Sequence, residues 1–194
     1  TLIAMVIGIC AAYSVTSFSY PGRQSLAFLI WVAYVVPGIL LLIPLFLIIN
    51  ALQLVDSFFG LVLTYQAFLV PSSTWLLMGY FRRLPKELQE AALIDGCTPN
   101  QAFFRVTLPL SIPALAVTGF LGFMSSWSEF AISWQFLTDP KDFTLTMALY
   151  NMVGQFAGSV PWSQFAAMAI IIALPVSLVY LYLQKYILGG LTIG

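Results

Sequence analysis

Residues 162–186 read Trp162-Ser163-Gln164-Phe165-Ala166-Ala167-Met168-Ala169-Ile170-Ile171-Ile172-Ala173-Leu174-Pro175-Val176-Ser177-Leu178-Val179-Tyr180-Leu181-Tyr182-Leu183-Gln184-Lys185-Tyr186. The stretch carries one charge, Lys185, at its end. About 20 apolar residues in a helix, rising about 1.5 Å each, cross a hydrocarbon layer about 30 Å thick. The apolar residues are continuous and do not alternate, so the stretch does not read as a barrel strand. It predicts a helix that crosses a membrane.

The same test, applied outward along the chain, selects four more segments: Thr1 to Tyr20, Leu26 to Leu54, Phe58 to Tyr80 and Val106 to Leu137. The second and fourth are long enough to tilt or run on into the interface. Composition agrees. The chain is 61% hydrophobic and 7% charged, against about 25% charged in an average soluble domain. The sequence is therefore read as an all-α membrane protein, a single domain over 1–194 with a bundle of five spanning helices. There is no histidine, and the two cysteines, Cys10 and Cys97, lie far apart. A zinc site and a disulfide framework are not expected, and no metal ligands are assigned. The largest basic cluster is Arg82, Arg83 and Lys86, too small for a nucleic-acid partner.

Charge sets the orientation. If the five segments alternate in direction, one side of the membrane receives Arg23, Arg82, Arg83, Lys86, Arg105 and Lys185, and the other only Lys141. The basic side is then cytoplasmic, with the C-terminus on it and Thr1 outside. An outside start without a signal peptide predicts at least one further spanning helix upstream. Pro37, Pro44, Pro71, Pro113 and Pro175 fall inside the apolar runs, where they act either as ordinary kinks or as hinges of a moving pathway.

The longest polar break runs from Arg82 to Arg105. Its 84–97 portion predicts a short amphipathic helix, with Pro85 in the first turn, Gly96 at the end, and Leu84, Leu88, Ala91 and Ala92 on one face. Lys86, Glu87, Glu90 and Asp95 point elsewhere. Such a helix either lies on the lipid headgroups or is a docking knob for a soluble cytoplasmic partner.

Here the chain resembles a known family. Glu90-Ala91-Ala92, three residues, Gly96, nine residues, Val106, one residue, and Leu108-Pro109 are similar to the EAA loop of binding-protein-dependent ABC permeases, with Val106 where that family favours Ile. Pro21-Gly22-Arg23, Ile43-Pro44-Leu45, Trp127-Ser128-Glu129-Phe130 and the ending Gly190-Leu191-Thr192-Ile193-Gly194 resemble the carbohydrate branch, maltose type, although Ser128 replaces an Asn. The resemblance implies a multi-pass subunit of a bacterial or archaeal cytoplasmic membrane, with six spanning helices in the full chain, one of them N-terminal to those seen here. It implies a second, different permease, two ATPase subunits that bind ATP and Mg, an extracytoplasmic solute-binding protein and a carbohydrate solute. It also implies that Glu87, Glu90, Ala91, Ala92, Asp95 and Gly96 form the ATPase-coupling site, the helix over 84–97 being the coupling helix.

The chain has no P-loop of its own and no nucleophile–base set, so no catalytic residue and no cofactor are assigned to it. Candidate pathway residues are Ser125, Ser126, Trp127, Ser128 and Glu129. Glu129 is the one acid deep in an apolar run, where it serves either as a pathway group or as a packed, hydrogen-bonded one. Hydroxyls and an indole suit a sugar, but they also suit helix packing and the membrane interface. The outer stretch Thr144 to Gly158 is apolar with helical spacing. It either caps the bundle, or dips back toward the pathway or touches the binding protein.

Overall fold

A computed structural model describes residues 1–155 and 161–191, and within them the regular structure is helical. The elements are α1 (Leu2–Ser17), α2 (Arg23–Val35), α3 (Gly38–Ala51), α4 (Phe58–Phe81), α5 (Lys86–Ile94), α6 (Pro99–Ala102), a π-helical turn (Phe103–Thr107), α7 (Leu108–Leu110), α8 (Ile112–Trp127), α9 (Ala131–Phe136), a 3₁₀ turn (Pro140–Asp142), α10 (Leu145–Gln155) and α11 (Trp162–Leu191).

At the centre is α4, the helix with the most buried residues, and α1 lies along it. Ala4, Gly8, Ala12 and Val15 form the buried stripe of α1. They are small and four or three residues apart, so the two backbones approach closely. A methyl group on Gly8 would sit 3.0 Å from the Ser73 Cβ. Helix α4 also buries three hydroxyl residues, Thr64, Ser73 and Thr74, the last two at the contact with α1. Thr64 and Thr74 donate to the carbonyls of Gly60 and Val70 at 2.8 and 2.7 Å, which satisfies hydroxyls that would be costly in lipid.

Side-chain contacts fix the helix directions. Ala12, Val15 and Tyr13 meet Leu77, Met78 and Phe81, so α1 and α4 run parallel. Thr1 lies beside Gly122, and Met5 beside Gly119, so α8 runs the other way. Phe120 packs on Tyr180, and the Trp127 indole donates to the Ile172 carbonyl at 3.0 Å, so α11 reverses once more. This order brings Arg23, Arg82, Arg83, Lys86, Arg105 and the Lys185 end of α11 to one end of the bundle. Lys141 lies at the opposite end. The segregation expected from charge alternation is present.

Straight spans are not present throughout. The 26–54 run is two helices bent by 101° at Val36 and Pro37, and the path through 106–137 bends by 72° at Ser111. It stops again at Ser128–Phe130 before α9. Among the described residues, two helices, Phe58–Phe81 and Trp162–Tyr186, are long and apolar enough to cross a membrane alone, or up to four spans if each bent pair counts as one. The helix α1 is apolar but has only 16 residues. Proline separates the two cases. Pro37 stands at the break before α3, and Pro113 occupies the first turn of α8, where its missing N–H costs nothing. Pro44, Pro71 and Pro175 lie inside continuous helices.

A second cluster sits at the end opposite the basic residues. Ile49, Leu61, Ile132, Phe136, Leu137 and Met147 pack together, joining the α3–α4 turn to α9 and α10. Thr144 to Gln155 thus caps the bundle through Met147. Phe156 and Gly158, and the tail 192–194, lie outside the described residues.

Candidate functional site

The polar loop forms the predicted helix with shifted ends and a different face. Helix α5 covers Lys86–Ile94, with Pro85 as the residue before its first turn and Glu87 in that turn, where a carboxylate meets the positive end of the helix dipole. Gly96 takes φ +87°, a conformation that costs glycine little and other residues more. Ala92 is buried at 8% exposure and Gln89 is half-buried. Leu88 and Ala91, expected to share the inward face with Ala92, are exposed, and Leu84 is half-buried. The reason is angular. At 100° per residue, Gln89 and Ala92 lie one turn apart on the inner side, and Leu88 and Ala91 sit together one residue round the helix.

The outer face of α5 therefore carries Glu87, Leu88, Glu90, Ala91 and Ile94, with Asp95 and Gly96 beyond its end, all exposed. Ile94 is 86% exposed. An apolar stripe rimmed by carboxylates, with small Ala91 at its middle, is a surface that another protein can approach closely. On the inner face, Gln89 Nε2 donates to Thr107 Oγ1 at 2.6 Å. Thr98 and Gln101 then form a reciprocal cap that starts α6, and the chain passes through the π-helical turn to the bend at Ser111. Sequence reasoning missed Gln89 and Thr107. A lone Gln and Thr 18 residues apart give no local signal.

The second candidate group lies at the far end. Ser126 donates to the Gly122 carbonyl at 2.8 Å, Ser128 to that of Met124, and Trp127 to that of Ile172. Ser125 and Ser128 are exposed. The Glu129 carboxylate is fully engaged. It accepts from the N–H of Ile132 at 2.6 Å, from the N–H of Ser133 at 3.1 Å, and from the hydroxyls of Ser133 and Tyr65 at 2.9 Å each. It thus closes the first turn of α9 and ties it to α4, while Thr146 donates to the Glu129 carbonyl at 2.9 Å. The structure brings Glu129 together with Tyr65 and Ser133, two residues the sequence did not single out, and holds it half-buried among them.

At the same end, Asp56 takes φ +59° and accepts from the Thr138 N–H at 2.8 Å, the Thr138 hydroxyl at 2.7 Å and the Asp139 N–H at 3.3 Å. These bonds, the one from the Thr138 N–H foremost, hold its carboxyl below the usual carboxylate range. Cys10 and Cys97 are free thiols. Among the described residues no three His, Cys, Asp or Glu side chains converge as metal ligands.

A model of the family of binding-protein-dependent transport system inner membrane components matches residues 4–192. The chain belongs to that family. This permease is 35% identical over 194 residues to the trehalose transport system permease protein SugB of Mycobacterium tuberculosis, covering 100% of this chain and 71% of that protein. It is 35% identical over 183 residues to the galactooligosaccharides transport system permease protein GanQ of Bacillus subtilis, covering 94% and 64%. Its identity to the trehalose/maltose transport system permease protein MalG of Thermococcus litoralis is also 35%, over 100% of this chain and 69% of that protein. The permease chain thus spans 64–71% of the length of these three relatives. Its fold matches that of a chain in the crystal structure of a bacterial ABC transporter involved in the import of the acidic polysaccharide alginate. The TM-score is 0.72 at 23% identity, over 95% of this chain and 72% of that one.

Proposed function

We propose that this permease forms half of the membrane pathway of an ATP-driven importer for a carbohydrate, and that α5 is its coupling helix. One observation carries the reading. A short helix at the basic end of a membrane bundle turns apolar and acidic side chains outward and roots itself in the bundle through Gln89 and Ala92. The basic end is cytoplasmic by the positive-inside rule, and the C-terminal end of α11 lies there too. In this reading five spans are α1, α2 with α3, α4, α8 with its flanking short helices, and α11. Glu87, Glu90, Ala91, Asp95 and Gly96 meet an ATPase subunit, whereas Ala92, expected among them, is buried against the bundle and anchors α5 instead. A second permease, two ATPase subunits holding ATP and Mg, and an extracytoplasmic solute-binding protein complete the complex. The permease itself performs no catalysis.

The sugar assignment is supported by relatives whose names carry trehalose, maltose and galactooligosaccharides. At the outer end, Ser125 and Ser128 are the exposed hydroxyls of the 125–129 group. We assign Glu129 to fastening α9, since its oxygens are occupied within the chain.

Purification of the full-length protein in mild detergent tests the proposal. A P-loop ATPase and a second permease are expected in stoichiometric amounts. A chain that purifies alone and intact would overturn it.

A further inference from the structure

The coupling reading leaves open how a push on α5 reaches the spanning helices. We propose that Gln89 and Thr107 form the joint that transmits it, with the π-helical turn Phe103–Thr107 as the part that changes shape. The inference rests on α5 being the ATPase-docking helix.

Among the described residues, the Gln89–Thr107 hydrogen bond is the single side-chain hydrogen bond from α5 to the rest of the chain, and at 2.6 Å it is short. Thr107 is 1% exposed, so water cannot replace Gln89 without rearrangement. Thr107 closes the π-helical turn, in which the Leu108 N–H reaches back five residues to the Phe103 carbonyl. Ser111, fully buried, donates its hydroxyl to the Thr107 carbonyl at 2.7 Å, and Ser111 marks the 72° bend into α8. At the other end of the turn, Phe103 packs on Tyr13 of α1 with ring centroids 4.4 Å apart. Three residues, Gln89, Thr107 and Ser111, thus connect the docking helix to the bend by contiguous hydrogen bonds.

A π-helical turn holds one residue more than an α-helical turn, and such turns occur often at functional sites. Its carbonyls can exchange between partners four and five residues ahead while the chain stays helical. That is a two-state element both ends can bias. Displacement of α5 acts on Thr107 through Gln89, shifts the turn between its two hydrogen-bond patterns, and re-aims α8 at Ser111. Gln89 and Thr107 are positioning residues and touch no solute.

The test uses the complete transporter with its ATPase subunits. Cys10 and Cys97 are replaced, and spin labels are placed at the exposed positions Val6 and Leu121. The label separation is measured without nucleotide and with ATP and vanadate. In the native sequence the ATPase co-purifies and the separation shifts. In Thr107→Val and Gln89→Met the ATPase is expected to stay bound while the population of the shifted state falls about fivefold, the worth of one hydrogen bond. Thr107→Ser is expected to keep the native response. An undiminished shift in either variant with the complex intact overturns the proposal, as does loss of ATPase binding in step with the shift. Gln89→Met alters one half-buried side chain on a surface helix, so it decides the matter if Thr107→Val does not assemble. If the native sequence binds no ATPase, the docking reading fails and the joint falls with it, an outcome distinct from an undiminished shift in the intact complex.

Discussion

The two ends of the bundle spend their polar side chains in opposite ways. At the basic end, α5 turns Glu87, Glu90 and Asp95 outward and keeps one hydrogen bond to the bundle. At the far end, Asp56 and Glu129 are consumed by the chain itself, each accepting several hydrogen bonds that tie sequence-distant segments together. The first arrangement offers groups to another molecule, and the second fixes geometry. Mutation should therefore separate the two ends. Changes on the outward face of α5 should alter assembly with little change in the stability of the chain, and changes at the far end should do the reverse.

The sharpest separation is expected from deletion of Glu90 to Gly96. Uptake and ATPase co-purification should be abolished while the bundle still inserts, as judged by membrane fractionation and a monodisperse peak in detergent. Unchanged uptake would end the comparison. At the far end, Glu129→Ala removes an acceptor of four hydrogen bonds and leaves the Tyr65 hydroxyl and two N–H groups without it. Hydrogen bonds to a charged group are worth about 1.5–3 kcal/mol each in net terms. Since Ser133 and Tyr65 can still bond each other, the two lost N–H bonds set the scale, and a loss of about 3–6 kcal/mol is expected from thermal unfolding in detergent. The ATPase subunit should remain bound to the folded fraction. Equal loss of binding at low temperature would blur the two ends.

Gly60→Ala comes next. A methyl group there would collide with the Leu54 carbonyl and sit 3.2 Å from Ile49 Cγ2, in the turn capped by Ser57. Forcing it in should cost about 1–3 kcal/mol in the same unfolding assay, and a neutral result would show that the α3–α4 turn yields. The smallest effect is expected at Asp56, which is exposed. Its pKa in the folded chain lies below the ordinary value of 3.8. Its contribution is then fully present above that value and is lost as pH falls through the lower, folded one. The melting difference between the native chain and Asp56→Ala should stay level from pH 8 to 5 and shrink below about pH 4. A difference that grows on acidification would contradict the hydrogen-bonded carboxylate.

The chain's character as a helical bundle, and which end is basic, were legible because both depend on long runs. Five apolar stretches and six clustered cations survive any error of a few residues. Breaks inside the runs were not legible. Pro37 and Pro44 lie seven residues apart in equally apolar surroundings, yet one marks a 101° turn and the other a continuous helix. The local apolar pattern around the two prolines is the same, so it does not record which of them bends the chain. The inner face of α5 failed for a related reason. Leu88 is more apolar than Gln89, but the tertiary partner is the Thr107 hydroxyl, and it selects the amide. Glu129 was legible as unusual. Its satisfaction by Tyr65, 64 residues earlier, was not.

The contrast between α4 and α11 bears on how the protein is made. Among the residues of the span Trp162–Tyr186 none is buried inside the chain, whereas α4 buries polar Thr64, Ser73 and Thr74 against its neighbours. A helix whose backbone is internally satisfied and whose side chains are apolar is at home in lipid alone. Helix α11 can leave the insertion machinery and wait in the bilayer, whereas α4 reaches its buried, packed state only with α1 beside it. Expressed as a separate polypeptide, residues 161–194 should insert unaided, and their association with the remaining helices should be a separate, later step.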